Sequence, residues 1–248
     1  MIPLKSENDL RALELSGAIC GRVLKKLGEA CRAGVKTAAL DSLAQELIRK
    51  AGAIPAFKGY KGFPANVCIS VNEEIVHGIP SERLLREGDI VGLDLGVNMD
   101  GFFTDAAITV AVGVISAEKA KLIQVAREAL RAGIKEARPG NNLSDISHSI
   151  QSHVERNGFS VVRQFVGHGI GRALHEEPEI PNFGRAHQGP VLKSGMVLAI
   201  EPMVNAGTWE SEILENGWTA VTRDRLPSAH FEHTVAVTEK GARILTGG

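Results

Sequence analysis

The stretch Asp89-Ile-Val-Gly-Leu-Asp-Leu-Gly-Val97 runs into Asn98-Met-Asp-Gly101 and then into Phe102-Phe-Thr-Asp-Ala-Ala-Ile-Thr-Val-Ala-Val112. Side chains alternate along a strand, so Val91, Leu93, Leu95 and Val97 share one face and Gly92, Asp94 and Gly96 share the other. Asp94 therefore sits between two residues without side chains, which predicts an open space above the sheet. Asp100-Gly101 marks a tight turn, and the returning strand carries Asp105. With an even-numbered loop, Asp94 and Asp105 lie on the same face, directly opposite or one diagonal step apart. Two like charges at that distance repel unless a cation sits between them. An odd register, or a local Arg or amide partner for each Asp, stays open on this segment alone.

Two glutamates interrupt other apolar runs. Glu201 lies in Met196-Val-Leu-Ala-Ile-Glu-Pro-Met-Val204, and Glu232 in His230-Phe-Glu-His-Thr-Val-Ala-Val237. An isolated buried carboxylate is very costly, so Glu201 must be paired or bind a metal, whereas Glu232 taken alone would also fit a sheet edge. In the second run Phe231, His233, Val235 and Val237 share a face, and Glu232 shares the other with Thr234 and Ala236. His168 lies in Phe165-Val-Gly-His-Gly-Ile-Gly171, where glycines on both sides allow close approach of the backbone to a bound group. That segment is not a dinucleotide loop, because Pro178 and Pro181 prevent a long helix from following, and no Gly-Lys-Ser/Thr phosphate loop is present. His175 stands before Glu176-Glu177-Pro178, and His77 before Gly78-Ile79-Pro80. His148, His153 and His187 read as hydrogen-bonded residues of helix faces or loops, and His230 and His233 as supporting residues. Asp94, Asp105, Glu201 and Glu232 with one imidazole form a mainly oxygen-donor set. Such a set suits two divalent ions sharing carboxylates, with Mn or Fe(II) favoured and Co or Zn possible. Its usual use is activation of water for hydrolysis. HExxH is absent, which excludes a thermolysin-type zinc peptidase.

Around this centre the chain reads as one α+β domain. Apolar residues recur at helical spacing from about Glu7 to Ala33, with Gly34 as the stop, and again from about Ala39 to Lys50. Gly- and Pro-rich extended segments follow, then the two strands. The order then restarts: a helix from Ser116, a suitable N-cap, to Ala137, and another from Leu143 to Arg156. Gly34 and Gly140 are 106 residues apart (140 − 34), as are Gly52 and Gly158 (158 − 52). Leu40, Ala44 and Ile48 match Ile146, Ile150 and Val154 at the same offset. The reading is two pseudo-symmetric halves, about 1–112 and 113–248, with helices outside a curved antiparallel sheet.

Composition limits the function. A net charge of −1, without a charged tail, argues against nucleic-acid binding as the main activity. Aromatic residues make up only 4% of the 248 residues, so the core must rest on Leu, Ile, Val and Ala. Cys20, Cys31 and Cys68, an odd set without CxxC spacing, read as buried free thiols of a reducing compartment. Met1 to Leu10 has no apolar stretch of signal-peptide length, and no run approaches the roughly 20 apolar residues that span a bilayer. The expectation is a cytoplasmic protein.

Five segments, in order, resemble the methionine aminopeptidases: Asn72-Glu-Glu-Ile-Val-His-Gly-Ile-Pro80, Asp94 through Asp105, Gly167-His-Gly-Ile-Gly-Arg172 with His175-Glu-Glu-Pro178, Ile200-Glu-Pro-Met203, and Phe231-Glu-His-Thr234. The resemblance covers nearly the whole chain and is to the type I form. There is no room for the long type II insertion between His168 and Glu232, and an N-terminal zinc-binding extension is not expected. It implies the pita-bread fold with two pseudo-symmetric halves, and removal of the first methionine from new polypeptides, favouring a small second residue. It implies two divalent ions (Co, Mn, Fe(II) or Zn), with Asp94 chelating one, Asp105 and Glu232 bridging both, and His168 and Glu201 completing the other. Glu201 would handle the proton of the attacking water. His175 would stabilise the carbonyl oxygen as charge develops, and His77 would contact the scissile amide. A metal would hold the free amine, so that only the first residue is removed. The methionine pocket would be formed by Tyr60, Phe63, Cys68, Leu174 and Trp218, a thiol and aromatic rings around a thioether. Phe57 stands where a smaller residue lines the rim in bacterial relatives, and Leu174 where an aromatic is common. These departures bear on pocket shape and inhibitor preference rather than the reaction. Expected partners are N-terminal Met peptides and nascent chains, with transient ribosome contact, no membrane, no specific nucleic acid and a monomeric state.

Two rival readings use the same fold. A proline-directed relative, prolidase or aminopeptidase P, usually carries a large extra N-terminal domain, and this chain opens on the catalytic one. A non-catalytic binding module loses metal ligands, whereas all five are present.

Overall fold

The computed structural model describes residues 2–247; Met1, the first residue of the polar N-terminal segment, and Gly248 lie outside the described residues. Four long helices lie on one side of a curved, antiparallel nine-stranded sheet. The helices are α1 (Glu7–Ala30), α2 (Thr37–Lys50), α3 (Ala117–Glu136) and α4 (Leu143–Arg156). The architecture is α+β, as the two-strand, two-helix reading requires.

The central hairpin pairs Ile90–Met99 with Phe102–Ala111. Its outer strand is flanked by Ile54–Pro55 and Cys68–Val71. On the other side Phe102–Ala111 pairs Glu232–Thr238, which pairs Val197–Ile200, then Gly167–Gly169 and Glu176–Ile180. The apolar face of the hairpin, Val91, Leu93, Leu95, Val97 and Ala106, joins Leu24, Leu27, Leu40 and Ile48 of α1 and α2 in one core. Leu198, Ile200, Val235 and Val237 join Leu122, Leu130, Ile146 and Ile150 of α3 and α4 in a second. Each such buried Leu or Ile stabilises by about 1.5–3 kcal/mol, and aliphatic residues carry both cores. Helix α1 comes so close to the sheet that a Cβ on Gly17 would lie 2.3 Å from the carbonyl oxygen of Leu245.

The halves repeat in detail. Helices α2 and α4 have 14 residues each, and their limits are offset by the same 106 positions as the glycines before and after them (143 − 37, 156 − 50). Gly34, Gly52, Gly140 and Gly158 all have positive φ. Gly34 donates to Leu85 O while Leu85 donates to Val35 O, and Gly140 and Leu192 repeat the pattern, Leu192 donating to Asn141 O. Lys36 and Asn142, each just before its helix, form isolated bridges to Leu84 and Val191.

Two helix limits differ from the periodicity. Helix α1 ends at Ala30 rather than Ala33, because the Cys31 N–H folds back on Leu27 O and Gly28 O, and Gly34 is drawn to Leu85. Helix α2 starts at Thr37 rather than Ala39: the N–H groups of Thr37 and Ala38 are satisfied by Arg83 O and Ser81 O. Tertiary partners thus set both ends. Among the described residues, no helix is long and apolar enough to cross a membrane.

Candidate metal centre and its cavity

The register brings the acidic residues together. Asp94 faces Ala107, and Ala107 faces Glu232 on its other side, so two carboxylates flank one alanine across three strands. Asp105 faces Gly96, one diagonal step from Asp94. On its other side the Thr234 hydroxyl accepts from Asp105 N (2.9 Å) and donates to Asp105 O (2.8 Å). Thr234 faces Ala199, and Ala199 faces His168. Glu201 follows the end of Val197–Ile200, its backbone carbonyl accepting from Asn182 Nδ2 at 3.0 Å. All five side chains open onto the sheet face away from the helices, separated by residues no larger than threonine.

They line one cavity of about 280 Å³ with His77, His175, Tyr60, Phe63, Cys68, Leu174 and Trp218. Donor atoms of Asp105, His168 and Glu232 lie within 4.8 Å of one another. Asp105 and Glu232 are buried, whereas Asp94 and Glu201 open partly to the cavity. Asp94 Oδ1, Asp105 Oδ1 and Glu232 Oε1 are buried with no hydrogen-bond partner. Burial raises the pKa of all four carboxylates, Asp105 to about 7, and mutual repulsion adds to the rise at Asp94, Glu201 and Glu232. Unpaired carboxylate oxygens crowded in a buried pocket are what a cation resolves, so the donor set fits divalent ions.

The histidines differ in their surroundings. His168 Nδ1 bonds the carbonyl of Gly169 (2.9 Å), which leaves the Nε2 lone pair pointing at the carboxylates, 3.6 Å from Glu201 Oε1. Burial lowers its pKa to about 4, keeping it neutral and able to ligate. His175 stacks on Tyr60, its Nδ1 3.0 Å from the Tyr60 hydroxyl, with its ring 4.1 Å from that of His168. Although open to the cavity mouth, its pKa is pushed down by partial burial and by His168, Lys61 and His77. His77 has positive φ (59°), and its ring meets Phe165 edge-on. A strained backbone at a cavity wall is a common mark of a working residue. His230 is buried with Nε2 3.6 Å from Glu201 Oε2, and His233 Nδ1 lies 2.9 Å from Thr246 Oγ1. His148, His153 and His187 make contacts elsewhere, with Gly184, Glu128 and Asp145.

The apolar end is built from Phe57, Phe63, Cys68, Leu174 and Trp218, with Phe63 edge-on to Phe57 and Trp218. Cys68 faces Asp94, and burial with the nearby carboxylates holds its thiol well above its usual pKa, hence neutral. The open space predicted above Asp94 is present as the cavity, but the flanking glycines do not contribute to it. A Cβ on Gly96 would lie 2.7 Å from the Phe57 ring and 3.0 Å from Ala56 Cβ, and Ser70 and Thr109 approach Gly92. The glycines admit the protein's own residues, and Phe57 becomes the wall. Gln164, Phe165, Val166, Val76 and Lys61 also line the cavity and were not singled out by the sequence reading. Phe165 adjoins the Gly-His-Gly segment and was the one with a usable signal.

Comparison with known proteins agrees with this geometry. Residues 11–239 match the metallopeptidase family M24. The chain is 53% identical over 246 residues to a methionine aminopeptidase of Clostridium perfringens, and 50% identical over 246 residues to methionine aminopeptidase 1 of Bacillus subtilis, covering 99% of both chains in each case. It superimposes on the crystal structure of a methionine aminopeptidase from Thermotoga maritima with a TM-score of 0.99 at 44% identity, covering 100% of both chains. A prolidase from Pyrococcus furiosus, 23% identical, shares the fold with a TM-score of 0.81, covering 99% of this chain and 65% of that one.

Proposed function

The chain belongs to metallopeptidase family M24 and within it to the methionine aminopeptidases, hydrolases of the pita-bread fold, and from that premise we propose that it removes N-terminal methionine from nascent polypeptides with two divalent metal ions, favouring a small second residue. The observation that carries this reading is the juxtaposition of unpaired buried carboxylates with a small apolar pocket: Asp94, Asp105 and Glu232 at one end, Phe63, Cys68 and Trp218 at the other.

Asp94, Asp105, His168, Glu201 and Glu232 would hold the ions. When bound, such ions supply Lewis acidity, a water of lowered pKa and an anchor for a free α-amine. The residues of the chain do the rest. Tyr60, Phe63, Cys68, Leu174 and Trp218 enclose one unbranched apolar side chain, and the soft thioether matches thiol and rings. Glu201 takes the proton of the attacking water and delivers it towards the leaving nitrogen. His175, whose Nδ1 is engaged by the Tyr60 hydroxyl, turns Nε2 to the scissile carbonyl, donating as negative charge develops. His77 contacts the scissile amide from the opposite wall. We read the chain as one catalytic domain of two pseudo-repeats, about 1–112 and 113–248, working as a cytoplasmic monomer on nascent chains with transient ribosome contact.

The test is hydrolysis by protein loaded in turn with Mn, Fe(II), Co or Zn, with metal stoichiometry measured alongside. Met-Ala-Ser should be cleaved faster than Met-Leu-Ser or Ala-Ala-Ser, with two ions at saturation. Activity confined to Xaa-Pro peptides, or a single ion at full activity, would overturn the reading.

A further inference from the structure

The loop between Gly167–Gly169 and Glu176–Ile180 carries Leu174 and His175 into the cavity, where Leu174 packs in the apolar core and His175 lies against the rings of Tyr60 and His168, while its polar anchors lie on the other side. Among the described residues, the only side-chain hydrogen bond of His175 is to Tyr60. The loop is held from behind. Glu176 Oε1 accepts the N–H groups of Arg172 (2.7 Å) and Ala173 (3.1 Å). Its other oxygen, Oε2, accepts from Lys5 Nζ at 2.5 Å, across 171 residues of sequence. The Lys5 side chain is buried at 5% exposure and Glu176 is largely shielded at 11%. Removing the lysine would leave the shielded Glu176 carboxylate without its charged partner.

The fit around Lys5 is tight. A Cβ on Gly171 would lie 2.1 Å from Lys5 Cε, so glycine there is what admits the lysine stem. The Lys5 N–H donates to Gly195 O at 2.7 Å, in the turn that leads into Val197–Ile200 and Glu201. The same loop is braced by Phe103 N–H donating to Gly171 O (2.7 Å), and by Arg172, which bonds Asp9 and lies 3.7 Å from the Phe102 ring centroid. The N-terminal segment and the hairpin tip therefore grip the outer side of a loop whose inner side works.

We propose that Lys5 is a positioning residue for hydrolysis: through Glu176 it fixes the loop that presents His175 and Leu174 to the substrate. This deepens the function read above and rests on it. It touches no metal ligand, so its loss should leave metal binding intact and act on the step that His175 assists.

The experiment uses the metal-loaded full chain with Lys5→Met and with the paired Lys5→Met/Glu176→Gln, which removes both charges. Metal stoichiometry should stay at the wild-type value, kcat on Met-Ala-Ser should fall about 10- to 100-fold, the cost of a small misplacement, and KM should change less. Amide hydrogen exchange should quicken in 171–176 and not across the hairpin. In a His175→Ala background, Lys5→Met should cause little further loss, because both act on one contact. Wild-type kcat in both variants, or the same fold-loss without His175, would overturn the proposal. If Lys5→Met does not fold, the paired variant carries the same measurements. A wild-type chain that cleaves no Met peptide would sink the function reading instead, and unchanged exchange at 171–176 would independently refute the clamp.

Discussion

Replacing Asp105 by Asn should make the metal-free protein more stable while abolishing its metal binding. Asp105 is 4% exposed and its Oδ1 has no partner. Burial pushes its pKa from 3.8 to about 7, so the folded state binds its proton more tightly than the unfolded state does. A raised carboxylate pKa means stability is lost as pH rises between those two values, and the loss is nearly complete at pH 7. About three pKa units at about 1.4 kcal/mol each put the cost of that charge near 4 kcal/mol. Asparagine keeps the shape without the charge, and the Thr234 hydroxyl still holds the backbone of residue 105. Allowing for an amide that must hydrogen-bond to cavity water, the gain should be about 2–4 kcal/mol. For a chain of this size that is on the order of 5–10 °C in Tm. The assay is thermal and urea unfolding of both proteins in chelator at pH 7.5, repeated with added divalent metal. Metal should stabilise the wild type and not the variant, reversing or closing the gap. A metal-free Asp105→Asn protein no more stable than the metal-free wild type would refute the reasoning.

Other outcomes follow from the same geometry. Glu201→Gln and Asp94→Asn should each lower metal occupancy and cut turnover by more than about 100-fold while circular dichroism stays native; full activity in either would break the ligand assignment. His77→Ala should keep its metal yet lose about 100- to 1,000-fold in kcat, checked by elemental analysis beside the peptide assay. The stability advantage of metal-free Asp105→Asn over the metal-free wild type should grow as pH rises from about 4 to 7 and level off above that, because Asp105, with its pKa raised to about 7, loses stability across that range, while His168, lowered to about 4, is common to both proteins and cancels; unfolding of both proteins over that pH range checks it. Gly96→Ala, whose methyl would meet the Phe57 ring at 2.7 Å, should push that ring into the pocket and raise KM about tenfold for Met peptides.

The centre was legible in the sequence because it breaks a pattern. Acidic residues inside alternating apolar strands have few reasons to be there, and an even-numbered turn, which the sequence left open, puts Asp94 and Asp105 on one face. Register then supplied what parity could not: Asp94, Ala107 and Glu232 form one row across three strands. Helix α4 was legible to the residue, since Asn142 and Asp145 form a capping box and Gly158 ends it, whereas the limits of α1 and α2 depend on distant carbonyls at Leu85, Arg83 and Ser81. The role of the glycines beside Asp94 was hidden for the same reason. Phe57 lies in a loop, and nothing local to Gly96 announces that its ring will arrive there. The grip of Lys5 on Glu176 was equally silent, because its partners are 171 positions apart and neither belongs to a periodic pattern.

The two-fold repetition of helices and turns has a consequence for where the reactive centre can exist. Asp94 and Asp105 come from the first half of the chain, and His168, Glu201 and Glu232 from the second. The cavity is thus a joint, and any ion seated in it acts as a rivet across the seam. On the ligand set proposed above, neither half holds all five residues, so catalysis would be a property of their union. Cutting the chain in the exposed connection near Val114 would turn hydrolysis into a gauge of how well two separate pieces find each other.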